Sequence, residues 1–152
     1  MSTPVMKSPD LSIKRLTELA VVPQYQSPEA AGMDLHAAIE HSITLDPGTI
    51  IKVPLGFAMS IPHGFEAQVR PRSGLSSRHG VTLPNAPGTI DSDYRGEVLI
   101  PLINLGRESF VIEPGMRIAQ MVIAPVVQAV VREVDDLDDT SRGSGGFGST
   151  GQ

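Results

Sequence analysis

The stretch Ile43-Thr44-Leu45-Asp46-Pro47-Gly48-Thr49-Ile50-Ile51-Lys52-Val53-Pro54-Leu55-Gly56-Phe57-Ala58-Met59-Ser60-Ile61-Pro62-His63-Gly64-Phe65-Glu66-Ala67-Gln68-Val69 decides the fold class. Short runs rich in apolar and β-branched residues, 43–45, 50–54, 57–60 and 65–69, alternate with Asp46-Pro47-Gly48 and Pro62-His63-Gly64. Proline fixes φ and glycine accepts positive φ, so these triplets sit where β-turns need them. No helical period fits between them. The pattern continues outward through Val98–Asn104 and Phe110–Ile112, the turn Glu113-Pro114-Gly115, and the runs Ile118–Ile123 and Val126–Val134. Upstream, Leu11–Leu16 reads as a leading strand, and only Ser73–Arg78 offers a helical turn or two. Many short strands with regular turns predict an all-β sandwich or barrel rather than βαβ units.

With 152 residues the chain has the length of one domain with a real core. Seventeen acidic against twelve basic residues give a net charge of −5, which argues against duplex nucleic acid as a partner. A small anion needs only local donors and stays open. Cysteine is absent, which excludes disulfides, thiolate metal sites and thiol catalysis. The histidines 36, 41, 63 and 79 lack paired ligand spacing, so a zinc site is not expected. Met1–Asp10 has no apolar segment of the signal-peptide kind, and the greasy run Ile118–Val131 is interrupted by Gln120, Pro125 and Gln128. A cytoplasmic protein without membrane contact is the expectation. Residues 1–139 read as a single β-barrel domain, and 140–152 as a flexible Gly-rich C-terminal arm tethered by the acidic run Glu133–Asp139.

Three segments place polar residues among glycines. In Ala31-Gly32-Met33-Asp34-Leu35-His36, one carboxylate interrupts small and apolar residues and needs a partner, either an arginine or a hydrated metal. In Pro71-Arg72-Ser73-Gly74-Leu75-Ser76, a loop entering a short helix offers backbone N–H groups beside Arg and Ser donors, which suits a phosphate. Ser73 equally suits a plain helix cap. The densest segment runs from Asn85 through Thr89-Ile90-Asp91-Ser92-Asp93-Tyr94-Arg95 to Gly96. Asp91, beside Ile90 in a tight polar turn, suits a general base that activates water, and equally a turn residue bonded to its own backbone.

The tail Arg142-Gly143-Ser144-Gly145-Gly146-Phe147-Gly148-Ser149-Thr150-Gly151 carries one aromatic ring and one cation on a segment too rich in glycine to pack. Ordering such a chain costs about 1–2 kcal/mol per residue, so an external ligand with an anionic and a flat part would offset it. The alternative is a linker. The tail lacks the Gly-Lys-Ser/Thr ending of a P-loop, and no strand feeds it.

Taken in order, Ala31–Leu35, Pro71–Ser76, Asn85–Gly96, Gly115-Met116-Arg117-Ile118-Ala119-Gln120 and Arg142–Gly151 resemble the five motifs of the trimeric dUTP diphosphatases, or dUTPases. The resemblance implies a distorted jelly-roll-like β-barrel or sandwich with at most one short helix. It implies a homotrimer with active sites at subunit interfaces, the C-terminal arm coming from another subunit. The activity implied is hydrolysis of dUTP to dUMP and pyrophosphate with Mg²⁺, which keeps uracil out of DNA and supplies dUMP for thymidylate synthesis. By resemblance Asp91 activates the water that attacks the α-phosphorus, and Asp34 serves the metal indirectly, through water. Arg72, Ser73, Gly74 and Gln120 would bind phosphates, Asn85 would read the uracil edge, and Tyr94 would pack on the deoxyribose. In the arm, Phe147 would stack on the uracil while Arg142, Gly148, Ser149 and Thr150 close on the phosphates. The nearest rival is a dCTP deaminase or deaminase–diphosphatase on the same fold, which the intact Thr89–Tyr94 segment and the Phe147 tail disfavour. A non-catalytic nucleotide-binding module would need no residue in the place of Asp91.

Overall fold

The structure, a computed structural model, describes residues 8–147. Among the described residues, ten strands form three antiparallel sheets. The first sheet orders β1 (Ser12–Arg15), β4 (Ile50–Ser60), β8 (Glu97–Asn104) and β6 (Val81–Thr82). The second orders β2 (Met33–His36), β10 (Arg117–Pro125), β5 (Phe65–Arg70) and β7 (Gly88–Ile90), and β3 (Ile43–Leu45) pairs with β9 (Phe110–Ile112). One helix, α1 (Ser73–His79), links β5 to β6. This is the expected mostly-β, jelly-roll-like architecture. None of the described helices is long and apolar enough to cross a membrane.

Alternation sets which face of each strand is buried. Val98, Ile100 and Leu102 of β8 point inward from one sheet, and Met33, Leu35, Ala67, Val69 and Met121 from the other. Each fully buried Leu, Ile or Phe contributes about 1.5–3 kcal/mol relative to exposure. β4 corrects the expectation of two strands, 50–54 and 57–60: it is continuous but bent. Its register against β8 shifts between Pro54 and Ala58, so Leu55, Gly56 and Phe57 form a bulge facing the core. Pro54 is tolerated there because a bulge has no regular ladder to interrupt.

Val126–Val134 is also corrected. No strand forms there; Val126 donates its N–H to the Gly64 carbonyl at 2.8 Å, and Val127, Val130 and Val131 are then exposed. The run pairs with no strand among the described residues, so its β-branched side chains stay on the surface. Conversely, β2, β6 and β7 were not expected as strands. They have two to four residues each, too few for a period to emerge.

The helix is seated by its C-terminus. Gly80 takes φ 70° and donates its N–H to the Ser76 carbonyl, while Leu105 donates to the Gly80 carbonyl at 2.9 Å. A Cβ on Gly80 would come within 2.8 Å of the Gly106 Cα, so the backbones meet only because both residues are glycine. Asn104, fully buried, closes the same corner. Its Nδ2 donates to the carbonyls of Leu45 (2.9 Å) and Glu108 (2.8 Å), and its Oδ1 accepts from the Gly106 N–H.

Candidate functional site

Strand β5 carries a cationic cluster at its C-terminal end. Gln120 of β10 stands opposite both Asp34 of β2 and Arg70 of β5. Arg72 follows β5 after Pro71, as the residue preceding the helix. The Asp34 carboxylate is shared: Oδ1 lies 3.5 Å from Arg72 Nε, and Oδ2 accepts from Arg117 NH1 at 3.2 Å. This gives Asp34 the arginine partner its burial demanded, in duplicate. Arg72 NH1 also donates to the Arg117 carbonyl at 3.2 Å, and Gln120 Nε2 donates to the Pro71 carbonyl at 3.0 Å. The chain is therefore pinned on both sides of the position from which the Arg72 fork projects. Gly32 leaves room for the Gln120 carboxamide, since a Cβ there would lie 2.8 Å from Gln120 Oε1. One carboxylate against two guanidiniums leaves net positive charge, as an anion site requires.

Ser73 is the first helical residue rather than the cap. Arg72 occupies the cap position in extended geometry, with no side-chain capping bond. The capping alternative for Ser73 is thus not realised. Ser73 and Gly74 are exposed beside Arg72.

His36 lies next to this cluster, opposite Arg117 across β2 and β10. Burial pushes its imidazole below the ordinary 6.5; Arg117 and Arg72 act in the same direction, and Asp34 opposes them. Its Nδ1 is buried without a hydrogen-bond partner among the described residues.

The other end of β5 is acidic. Val69, Gln68 and Ala67 pair with Gly88, Thr89 and Ile90, which brings Asp91 level with Glu66. Asp91, Asp93, Glu66 and His63 line one cleft of about 630 Å³. Asp91 also lines a second hollow of about 220 Å³ with Thr89, Ile90, Tyr94, Glu97, Val98 and Leu99. The turn between β7 and β8 is held locally: Tyr94 N–H donates to the Asp91 carbonyl at 3.2 Å, and Tyr94 Oη donates to the Glu97 carbonyl at 2.9 Å. Arg95 NH1 bridges the carbonyls of Ser92 (2.6 Å) and Tyr94 (2.9 Å). Asp91 is both a turn residue and an exposed carboxylate. Asn85 lies exposed in the loop before β7, its Nδ2 close to where a Gly88 side chain would begin.

The structure therefore unites Asp34, Arg72 and Gln120, with Ser73 and Gly74 alongside, and separately unites Asp91 with Tyr94. It does not unite the two sets within one chain. Glu66 and Arg70 are four strand residues apart, about 13 Å, and Arg72 lies two residues further on. Arg142 is exposed, its Nε donating to the Gly145 carbonyl at 2.7 Å, and Phe147 is fully exposed at positive φ. Gly148, Ser149 and Thr150 lie outside the described residues.

In the sequence Arg117 stands within the fourth motif, with no role implied for it. Its spacing from Gln120 would place the two on opposite faces of a regular strand. The register shift between Arg117 and Ala119 turns Ile118 into the core and returns Arg117 to the outer face, beside Asp34.

Among the described residues no cluster of three or more His, Asp or Glu could hold a metal ion, and Asp34 is already committed to two guanidiniums. This donor set fits a magnesium ion that keeps its waters and travels on phosphates, not one caged by protein.

A family model described as dUTPase matches residues 18–151. The deoxyuridine 5'-triphosphate nucleotidohydrolase of Syntrophotalea carbinolica is 56% identical, covering 96% of this chain and 99% of that protein. That of Rhizobium etli (strain CIAT 652) is 59% identical over 94% of each. Among solved structures, the Staphylococcus bacteriophage 80alpha dUTPase with dUPNHPP superposes with a TM-score of 0.86 at 27% identity, covering 94% of this chain and 99% of that one.

Proposed function

The chain belongs to the dUTPase family and is an enzyme of it, and on that premise we propose that it hydrolyses dUTP to dUMP and pyrophosphate. The observation that carries the reading is the polarity of β5, with a braced guanidinium cluster at one end and an exposed carboxylate beside an aromatic hollow at the other. A triphosphate needs the first, and a water-activating base with a nucleoside seat needs the second.

In this reading Arg72, Ser73, Gly74 and one remaining Gln120 N–H bind phosphate oxygens. Asp91 accepts a proton from water as the water oxygen bonds to the α-phosphorus and the bond to the bridging oxygen of the β-phosphate breaks. Positioning and charge neutralisation supply most of the rate in such a reaction. Mg²⁺, when bound, would neutralise phosphate charge, with Asp34 reaching it through water. Asn85 reads the polar edge of uracil, and Tyr94, its hydroxyl already bonded to the Glu97 carbonyl, offers its ring to the deoxyribose. A 2′-hydroxyl is excluded sterically, and a base with exchanged donors and acceptors leaves buried polar groups unpaired.

The separation of the two residue sets supports a homotrimer in which one site takes the cationic cluster from one subunit and Asp91 from another. The exposed valines at 127, 130 and 131 support an arm, residues 140–152, that leaves the 1–139 body for a neighbouring subunit. There Phe147 stacks on uracil and Arg142 reaches the terminal phosphate, with Gly148, Ser149 and Thr150 completing the closure. The protein works in the cytoplasm, on a small-molecule substrate, without nucleic acid or membrane. Pyrophosphate release from dUTP, dCTP, dTTP and UTP with Mg²⁺ tests the reading. Selective turnover of dUTP is expected; deamination of dCTP with negligible dUTP cleavage overturns it.

A further inference from the structure

We propose that Arg117 is a positioning residue whose task is to keep the Asp34 carboxylate neutralised when Arg72 turns to the substrate's phosphates. The inference rests on the dUTP reading for its ligand, but its geometry is independent of it. The two guanidiniums use different oxygens of one carboxylate: Arg72 Nε faces Oδ1 at 3.5 Å, and Arg117 NH1 donates to Oδ2 at 3.2 Å. The longer contact is the one to break first. Arg72 can release Oδ1 without leaving Asp34 alone, because Oδ2 stays bonded.

Without Arg117, the same exchange would leave an unpaired carboxylate, only 17% exposed, facing a polyanion. Arg72 would then stay on Asp34, or the carboxylate would repel the phosphates. Ile118, the extra residue of the β10 bulge, is what brings Arg117 to this face together with Gln120. The Arg117 carbonyl accepts from Arg72 NH1 at 3.2 Å, so the same residue also fixes the base of the Arg72 fork. That backbone contact survives replacement of the Arg117 side chain, which isolates the electrostatic task.

A double-mutant cycle on the full-length chain reads this task out, using dUTP kinetics and binding of α,β-imido-dUTP. Arg117→Ala is expected to raise KM and the analogue Kd about tenfold, with kcat within about twofold, and Arg117→Lys to recover most of the loss. Arg117→Gln, which keeps length but not charge, should resemble alanine. In an Asp34→Asn background the penalty of Arg117→Ala should shrink to about twofold or less, because no carboxylate is left to neutralise. The same tenfold loss in both backgrounds would overturn the proposal and make Arg117 a phosphate ligand. A fall in kcat with unchanged KM, or full recovery by glutamine, would overturn it too. Wild-type turnover of dUTP in the same series separates the outcomes: its absence refutes the proposed function, and its presence leaves the cycle to judge Arg117 alone.

Discussion

The two ends of β5 are built by opposite means. At the cationic end every bond that shapes the cluster is long-range: Arg117 to Asp34 spans 83 positions, Gln120 to Pro71 spans 49, and Arg72 to the Arg117 carbonyl spans 45. At the acidic end the bonds span three residues or fewer, within Asp91–Glu97. The first is a product of sheet topology and collapses only with it. The second is a locally closed turn, set beside Glu66 by the pairing of β7 with β5. One end is braced for a highly charged group; the other is open toward the solvent, where a further partner can complete it.

Asp91→Asn should give the largest effect if the acidic end does the chemistry. Turnover is expected to fall by about 10²–10⁴-fold while nucleotide binding, followed by calorimetry, is retained. A mutant keeping most of its rate would remove Asp91 as the base. Truncation after Asp139 comes next. Activity should drop by about a hundredfold, because substrate loses a positioning contact, while the oligomer seen by light scattering is unchanged. A fully active truncation would leave the arm without a role.

Asn104→Ala probes the frame that seats the helix behind Arg72. It strips the buried Leu45 carbonyl, the part-buried Glu108 carbonyl and one N–H of their partner, so a loss of about 2–3 kcal/mol is expected in denaturant unfolding. A loss under about 0.5 kcal/mol, the size of an ordinary surface substitution, would show that water replaces it.

The smallest effect concerns His36. Its depressed pKa means that the unfolded chain binds more protons than the native one near and below 6.5. Stability from this group is therefore complete above that pH and is lost as pH falls toward the folded value. His36→Gln should flatten this part of the stability profile; an unchanged slope would assign it to other groups.

How much was legible in the sequence follows from the same contrast. Phe110–Ile112 and the helix beginning at Ser73 were readable because turn residues and local periods mark them. The turn at Asp91–Gly96 was readable as a turn, since its own side chains close it. The role of Arg117 was not. It depends on a bulge that reverses which face the residue joins, and on two strands remote in sequence lying side by side. The run Val126–Val134 misled because β propensity reports how a residue fits a paired, half-buried surface, and after the Val126 N–H bond to Gly64 this run pairs with no strand. Asp34 lay between these cases: its need for a partner could be read, and the partners' identities could not.

In the proposed trimer, one working site takes its cationic cluster and its Asp91 from different subunits. Refolding inactive Asp91→Asn together with inactive Arg72→Ala, and measuring pyrophosphate release from dUTP, tests it directly. Random mixing should restore about a quarter of wild-type activity, since that share of interfaces joins two intact halves. No recovery, with wild type refolded in parallel regaining its rate, would contradict the account and place the whole site within one chain.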